Sequence, residues 1–166
     1  MADLGAITLW IALALSSYSA LGSFVGQTRG SVELVISSRR AAYLAMLVLF
    51  VSTLSLVTLF INRDFEVAYV AHHSDLAMPD RFTWVAFYAG NEGSLLFIGF
   101  ALAAMASLAI WRAPSDILDT LPYTTGVLML VLAFFLAVTG FMANPFEKLP
   151  FVPPDGDGIN PLLTHF

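Results

Sequence analysis

The chain has 166 residues, of which 58% are hydrophobic and only 11% are charged. A soluble domain of this length is typically about half apolar and about a quarter charged, so the composition excludes an ordinary soluble domain. The formal net charge is −5 and no basic run occurs, which argues against nucleic acid as a partner. Cysteine is absent, which excludes disulfides, thiol nucleophiles and thiolate metal sites.

Four long stretches of the sequence are almost free of charged residues. They predict membrane-spanning helices over about residues 4–27, 41–61, 92–111 and 122–143. About 20 apolar residues are enough to cross the hydrocarbon core at about 1.5 Å per residue. Open strands are excluded at that depth, since their backbone groups would be unpaired in lipid. The sequence therefore predicts an all-α integral membrane protein with about four transmembrane helices, in a single membrane domain over 1–166.

The predicted loops differ in charge between the two sides of the membrane. The 29–40 and 112–121 loops together carry four basic and three acidic residues. The N-terminus, the 62–93 loop and the tail carry three basic and nine acidic residues over much more chain. Because basic residues concentrate in cytoplasmic loops, we expect both ends of the chain and the 62–93 loop to be external.

The 62–93 segment also contains signals for a short helix. Ser74 or Asp75 is a candidate cap for a helix that begins near Met78 and Pro79, with the proline in its first turn. The aromatic residues that follow predict an external amphipathic segment lying along the membrane interface.

The tail, residues 144–166, contains five prolines and cannot be helical throughout. We expect it to run extended along the bundle or along a partner. Its two consecutive Asp-Gly pairs predict a tight turn, since the further ligands of a calcium-binding EF-hand loop are absent.

Two places contain residues that are able to take part in chemistry. Glu92 lies at the predicted mouth of the third helix, where an ionisable group either faces a cavity or a partner, or is a solvated carboxylate favoured by the helix dipole. His72 and His73 are candidate haem ligands, because imidazole binds haem iron. Neighbouring residues on a strand point in opposite directions, so a polar surface pair is the favoured interpretation and no metal site is predicted.

Three segments in order resemble the CcmF family, the membrane haem lyases of cytochrome c maturation. The segment from Asp64 to Ser74 resembles the family pattern DFSVxYVAxxS, and the segment from Asn91 to Leu96 resembles HEGSLL. The tail resembles NPFERL followed by DGxxLNPLL. The chain departs from the family at Asn91, where the family usually has histidine, and at His72 and His73, where two asparagines are frequent. The matching positions are Tyr69, Val70, Ala71, Ser74, Glu92, Gly93, Ser94, Asn144, Pro145, Phe146, Glu147, Asp155, Gly156, Asn160 and Pro161.

The resemblance implies cytochrome c-type biogenesis in the bacterial inner membrane, with haem transfer to apocytochrome c at the outer face. It also implies that the chain is an N-terminal fragment or a split subunit of a larger lyase, and is not catalytic alone. Haem would then be handled by the complete complex, because the four predicted spans contain no histidine. The implied partners are the C-terminal remainder of the lyase, the haem chaperone, apocytochrome c and its thiol-handling proteins, together with membrane lipid. The alternative is a non-catalytic four-helix scaffold subunit of a transporter or respiratory complex.

Overall fold

The computed structural model describes residues 1–158. Within this range the secondary structure is helical, apart from an isolated antiparallel bridge between two extended segments. The helices, in chain order, are α1 (Ala2–Arg29), α2 (Val32–Ile61), α3 (Ala68–His73), α4 (Thr83–Ala89), α5 (Asn91–Trp111) and α6 (Leu121–Met142). Two single 3-10 turns, Asp80–Phe82 and Ser115–Ile117, precede α4 and α6.

Four of these helices, α1, α2, α5 and α6, are long and apolar enough to cross a membrane. α1 packs against α2 and α6, and α5 packs against the same two helices. This arrangement is a four-helix membrane bundle, which confirms the all-α membrane fold predicted from the charge-free stretches.

The bundle has two chemically different ends. The α1–α2 and α5–α6 connections lie at one end, which we call the basic end because it holds Arg29, Arg39, Arg40 and Arg112. The segment between α2 and α5, with α3 and α4, lies at the opposite end together with the tail. We call this the motif end, because all of the described family-like segments are found there.

α2 begins at Val32, well before the predicted start at residue 41, so the predicted 29–40 loop is wrong. α1 ends at Gly30, whose left-handed φ of 66° suits glycine, and the hydroxyl of Ser31 accepts a hydrogen bond from the Leu34 amide at 3.4 Å. The predicted start at residue 41 is the edge of the charge-free stretch, and this edge marks the apolar region and not the start of the helix. The helix itself continues past that edge and carries Arg39 and Arg40 on its surface.

Small residues of α1, among them Gly22 and Gly26, allow α1 and α2 to lie close together. A Cβ at Gly26 would lie 2.9 Å from the Val35 side chain, so no larger residue fits there without a shift. Buried hydroxyls also cross between the helices: Ser19 donates to the Ser38 carbonyl at 2.7 Å, and Ser52 donates to the Gly5 carbonyl at 2.9 Å. These two buried hydroxyls are therefore satisfied by the backbone of the opposing helix.

The motif end differs from its prediction in one helix and one cap. α3 was not predicted, and His72 and His73 lie on this helix and not on a strand. Ser74 ends α3, where its buried hydroxyl donates to the Val70 carbonyl at 2.7 Å, so it does not cap the following helix. The predicted amphipathic segment is present as the turn Asp80–Phe82 followed by α4.

Candidate functional site at the motif end

The tail pairs with the segment before α3 through backbone hydrogen bonds. The Ala68 amide donates to the Glu147 carbonyl at 2.8 Å, and the Leu149 amide donates to the Glu66 carbonyl at 2.9 Å. These bonds surround an antiparallel bridge between Val67 and Lys148. The first and third family-like segments, about 80 residues apart in sequence, are thus joined as a short two-stranded ladder.

A second set of contacts attaches the tail to the end of α3. The Asp157 amide donates to the Ala71 carbonyl at 2.8 Å, and the Leu76 amide donates to Asp155 Oδ1 at 2.9 Å. Gly156 passes so close to the Ser74 carbonyl that a Cβ at this position would overlap it. The described part of the tail therefore follows α3, in agreement with the predicted extended course. Asn160 and Pro161 lie outside the described residues.

The tail is also anchored on α1. Phe146 is 4% exposed, and its ring fills the space beside Gly5, where even a Cβ would overlap it. Asn144 Oδ1 accepts a hydrogen bond from the Phe146 amide at 3.0 Å, which fixes the turn into this position. Lys148 Nζ lies 3.0 Å from carboxylate oxygens of both Asp3 and Glu66, and hydrogen bonds to these acids raise the pKa of the exposed amine.

Tyr69 joins the first family-like segment to the second. Its buried hydroxyl donates to the Phe87 carbonyl at 2.9 Å and accepts from the Gly90 amide at 3.1 Å. Burial raises the pKa of this phenol to about 12, and the negative charge of Glu92 acts in the same direction. The hydroxyl is therefore a permanent donor at physiological pH, and it fixes the turn between α4 and α5.

Aromatic rings fill the space around this hydrogen bond. Phe60 contacts Tyr69 and Phe87 edge-on, with ring centroids 5.3 and 6.4 Å apart, while Trp84 stacks on Phe87 at 5.3 Å. Phe97 of α5 closes the cluster against Trp84 and Phe87. Because aromatic pairs in these geometries stabilise beyond their buried area, the motif end is a packed layer and not a loose loop.

Glu92 lies in the first turn of α5 and is partly buried. A Cβ built at Gly90 would lie 3.0 Å from Glu92 Oε2 and 2.8 Å from His73 Nε2, so the carboxylate and the imidazole both pack closely against Gly90. His73 Nδ1 lies 3.0 Å from the Tyr69 carbonyl, which can only accept. In the neutral imidazole Nδ1 therefore holds the hydrogen, and Nε2 presents its lone pair.

The two histidines have different surroundings. The His72 ring is exposed, and its Nδ1 lies 2.7 Å from Asp157 Oδ2 on the tail, whereas His73 packs on the Tyr69 ring at 4.5 Å between centroids. No cluster of three or more metal-binding side chains occurs within residues 1–158. His72 therefore contacts the tail, whereas His73 lies near Glu92.

Sequence reasoning missed Tyr69 as the centre of this layer, and it missed Gly90. In the sequence, Tyr69 stands out only as part of a family-like pattern, since a lone tyrosine carries no signal of two long-range hydrogen bonds. The glycines on either side of Glu92 were the available signal, because glycine next to a helix start often marks a close backbone approach.

We expect Tyr69→Phe to destabilise the protein by about 1–3 kcal/mol, because it leaves the Gly90 amide and the Phe87 carbonyl without their buried partner. The measurement is the midpoint of unfolding in mixed micelles of increasing dodecyl sulfate content. Tyr88→Phe is the matched control, because that side chain is 52% exposed and its loss should change the free energy by less than about 0.5 kcal/mol. Equal midpoints for the two variants would contradict the role assigned to the Tyr69 hydroxyl.

Comparison with known proteins identifies the family. No protein-family model matches the chain. The cytochrome c-type biogenesis protein CcmF of Escherichia coli is 31% identical over 167 residues, which cover 98% of this chain and 25% of that protein. CcmF of Pseudomonas aeruginosa is 32% identical over 165 residues, covering 97% of this chain and 25% of that protein. A solved structure of the cytochrome c haem lyase CcmF superposes with a TM-score of 0.81 at 29% identity, covering 89% of this chain and 25% of that one.

The chain is homologous to CcmF. The resemblance of its three segments to an N-terminal part of CcmF is thereby confirmed, and so is the membrane helical fold. The chain spans about a quarter of the length of these CcmF relatives.

Proposed function

We propose that the chain is a component of the membrane haem lyase of cytochrome c biogenesis, acting in the bacterial inner membrane. The observation that carries the proposal is that the described CcmF-like segments, far apart in sequence, converge in one layer around α3. In this proposal the chain contributes a pre-organised surface at the outer face of the membrane, on which the complete complex transfers haem to apocytochrome c.

Haem is the cofactor of the complete complex in this proposal, and this chain alone is neither catalytic nor a haem carrier. Axial haem ligands in helical membrane bundles are side chains that face the interior. α1, α2, α5 and α6 contain no histidine. Methionine occurs in these helices, at Met46, Met105, Met129 and Met142, without a histidine to complete a pair. The C-terminal remainder of the lyase would therefore supply the ligands.

The partners proposed are that remainder, the haem chaperone, and apocytochrome c with its thiol-handling proteins. The motif end is the surface they would meet, since Glu92 is only partly buried there and His72 is exposed beside the tail.

We expect Glu92→Gln to lower cytochrome c maturation by on the order of tenfold when the chain is co-expressed with the rest of the lyase. A hydrogen bond from a charged group is typically worth about 1.5–3 kcal/mol, which corresponds to at least about tenfold in rate. Covalently bound haem in the matured cytochrome, normalised to the amount of this chain in the membrane, is the measurement.

Glu66→Gln is the control for this experiment. Glu66 pairs with Lys148 on the surface, and exposed pairs of this kind contribute little to stability. Unchanged maturation with Glu92→Gln, at the same protein level as Glu66→Gln, would mean that Glu92 is only a solvated residue of the first helical turn.

The orientation proposed has the motif end outside the cytoplasm and the basic end inside. Reporter fusions placed after Arg40 and after Asp116 are expected to give a cytoplasmic signal, and a fusion after Asp75 an external signal, because basic residues near helix ends are retained in the cytoplasm. Alkaline phosphatase, active only outside, and green fluorescent protein, fluorescent only inside, provide complementary readouts. An external signal after Arg40 would reverse the orientation.

A further inference from the structure

A groove lies between the basic-end halves of α2 and α5, away from the motif end. It has a volume of about 460 Å³ and is lined by Tyr43, Met46, Ala104, Ser107, Leu108 and Trp111. α2 and α5 belong to the membrane-spanning part of the bundle. Apart from the phenol of Tyr43 and one buried hydroxyl, the groove is lined by apolar and aromatic surface.

That hydroxyl belongs to Ser107. The residue is 5% exposed, and its Oγ has no hydrogen-bond partner within residues 1–158. By contrast, the buried hydroxyls of Ser19 and Ser52 donate to backbone carbonyls of the opposing helix. A buried hydroxyl without a partner is costly, particularly where no water is present. Ser107 therefore leaves one unsatisfied donor within the wall of the groove.

Positive charge lies at the end of the groove. Arg40 precedes Tyr43 by one helical turn on α2 and shares its face. Arg112 directly follows Trp111, and its guanidinium lies 5.7 Å from the Trp111 ring centroid. Both arginines are exposed. Tyrosine and tryptophan concentrate at the level of lipid headgroups, so the two guanidinium groups lie at the level of lipid phosphates.

We propose that this groove binds an anionic phospholipid. One acyl chain lies along the apolar walls, and the phosphate pairs with Arg40 and Arg112. Basic pockets between membrane helices recognise anionic headgroups by this combination of charge and apolar contact. The site is separate from the motif end and does not rest on the proposed function.

The test uses Trp111 as a reporter inside the groove. Replacing the other two tryptophans, as Trp10→Phe and Trp84→Phe, leaves Trp111 as the sole indole. The chain is placed in phosphatidylcholine nanodiscs containing a small fraction of brominated phosphatidylglycerol or, in parallel, brominated phosphatidylcholine. Bromine quenches only the indole it touches, so the ratio of the two quenching signals reports preference for the anionic lipid.

We expect brominated phosphatidylglycerol to be enriched at Trp111, and Arg40→Gln or Arg112→Gln each to lower that enrichment about fivefold, which corresponds to about 1 kcal/mol per basic residue. Ala104→Leu, which fills the groove, should abolish the preference. Arg29→Gln is the matched control, because Arg29 is also exposed at the basic end but lies on α1.

Three results would overturn the proposal. The first is equal quenching by the two brominated lipids, and the second is a preference that persists when both Arg40 and Arg112 are replaced by glutamine. The third is absence of quenching by either lipid, which would mean that another helix covers the groove.

Discussion

Gly93→Ala is expected to destabilise the protein by about 3 kcal/mol, the upper range for overpacking a rigid site. A Cβ at Gly93 would overlap the Phe87 carbonyl oxygen and would lie 2.6 Å from the Tyr69 hydroxyl. Those two atoms are already hydrogen-bonded to each other at 2.9 Å, so neither is free to move away alone. The variant must separate α3 from the start of α5 or break the turn at Gly90.

Gly99→Ala is the control on the same helix. Its Cβ would meet the end of the Leu136 side chain at 3.2 Å, and this flexible group is able to shift by a few tenths of an ångström. Unfolding midpoints in mixed micelles should therefore fall strongly for Gly93→Ala and little for Gly99→Ala. The same assay on Glu92→Gln would separate a loss of maturation caused by misfolding from one caused by the missing charge.

Phe146→Ala is expected to cost about 3–5 kcal/mol, as is typical for removing a buried phenylalanine ring. The ring is 4% exposed and fills the space beside Gly5, so its removal leaves a cavity between the tail and α1. The backbone ladder at Val67 and Lys148 depends on this anchor, because two isolated strands are marginally stable in water.

Trypsin cleavage after Lys148 measures this effect directly. In the native protein Lys148 is held by Asp3, Glu66 and the ladder, whereas loss of the anchor should make the bond after it rapidly cleavable. Phe151→Ala is the control, since that ring is 76% exposed. If both variants are cleaved at the wild-type rate, Phe146 is not the anchor of the tail.

The four-helix bundle was predictable because each membrane-spanning helix needs its own stretch of about 20 apolar residues. The start of α2 was not, since Arg39 and Arg40 mark the edge of the apolar region while the cap at Ser31 marks the start of the helix. α3 is only six residues long and contains no complete hydrophobic period, so its sequence resembles that of a loop or a strand.

The candidate site was predictable only as separate segments. Which segments meet depends on pairings such as the Ala68 amide with the Glu147 carbonyl, and backbone atoms of any residue are able to form such bonds. The two neighbouring histidines illustrate the same limit. Their surroundings differ because the tail approaches His72 and the α4–α5 turn approaches His73. The sequence around either histidine does not indicate which segment will approach it.

The four membrane-spanning helices differ in length. α1 and α2 have 28 and 30 residues and are about 42–45 Å long, whereas α5 and α6 have 21 and 22 residues and extend about 32 Å. The hydrocarbon core is about 30 Å thick, so the shorter pair matches it and the longer pair exceeds it by roughly two helical turns. The connection before α6 packs against the end of α1, where the Gln27 side chain donates to the Asp119 carbonyl at 3.0 Å. The two-residue turn at Gly30 and Ser31 lies beside Leu118, Asp119 and Pro122. The two helical connections of the basic end therefore form one continuous surface.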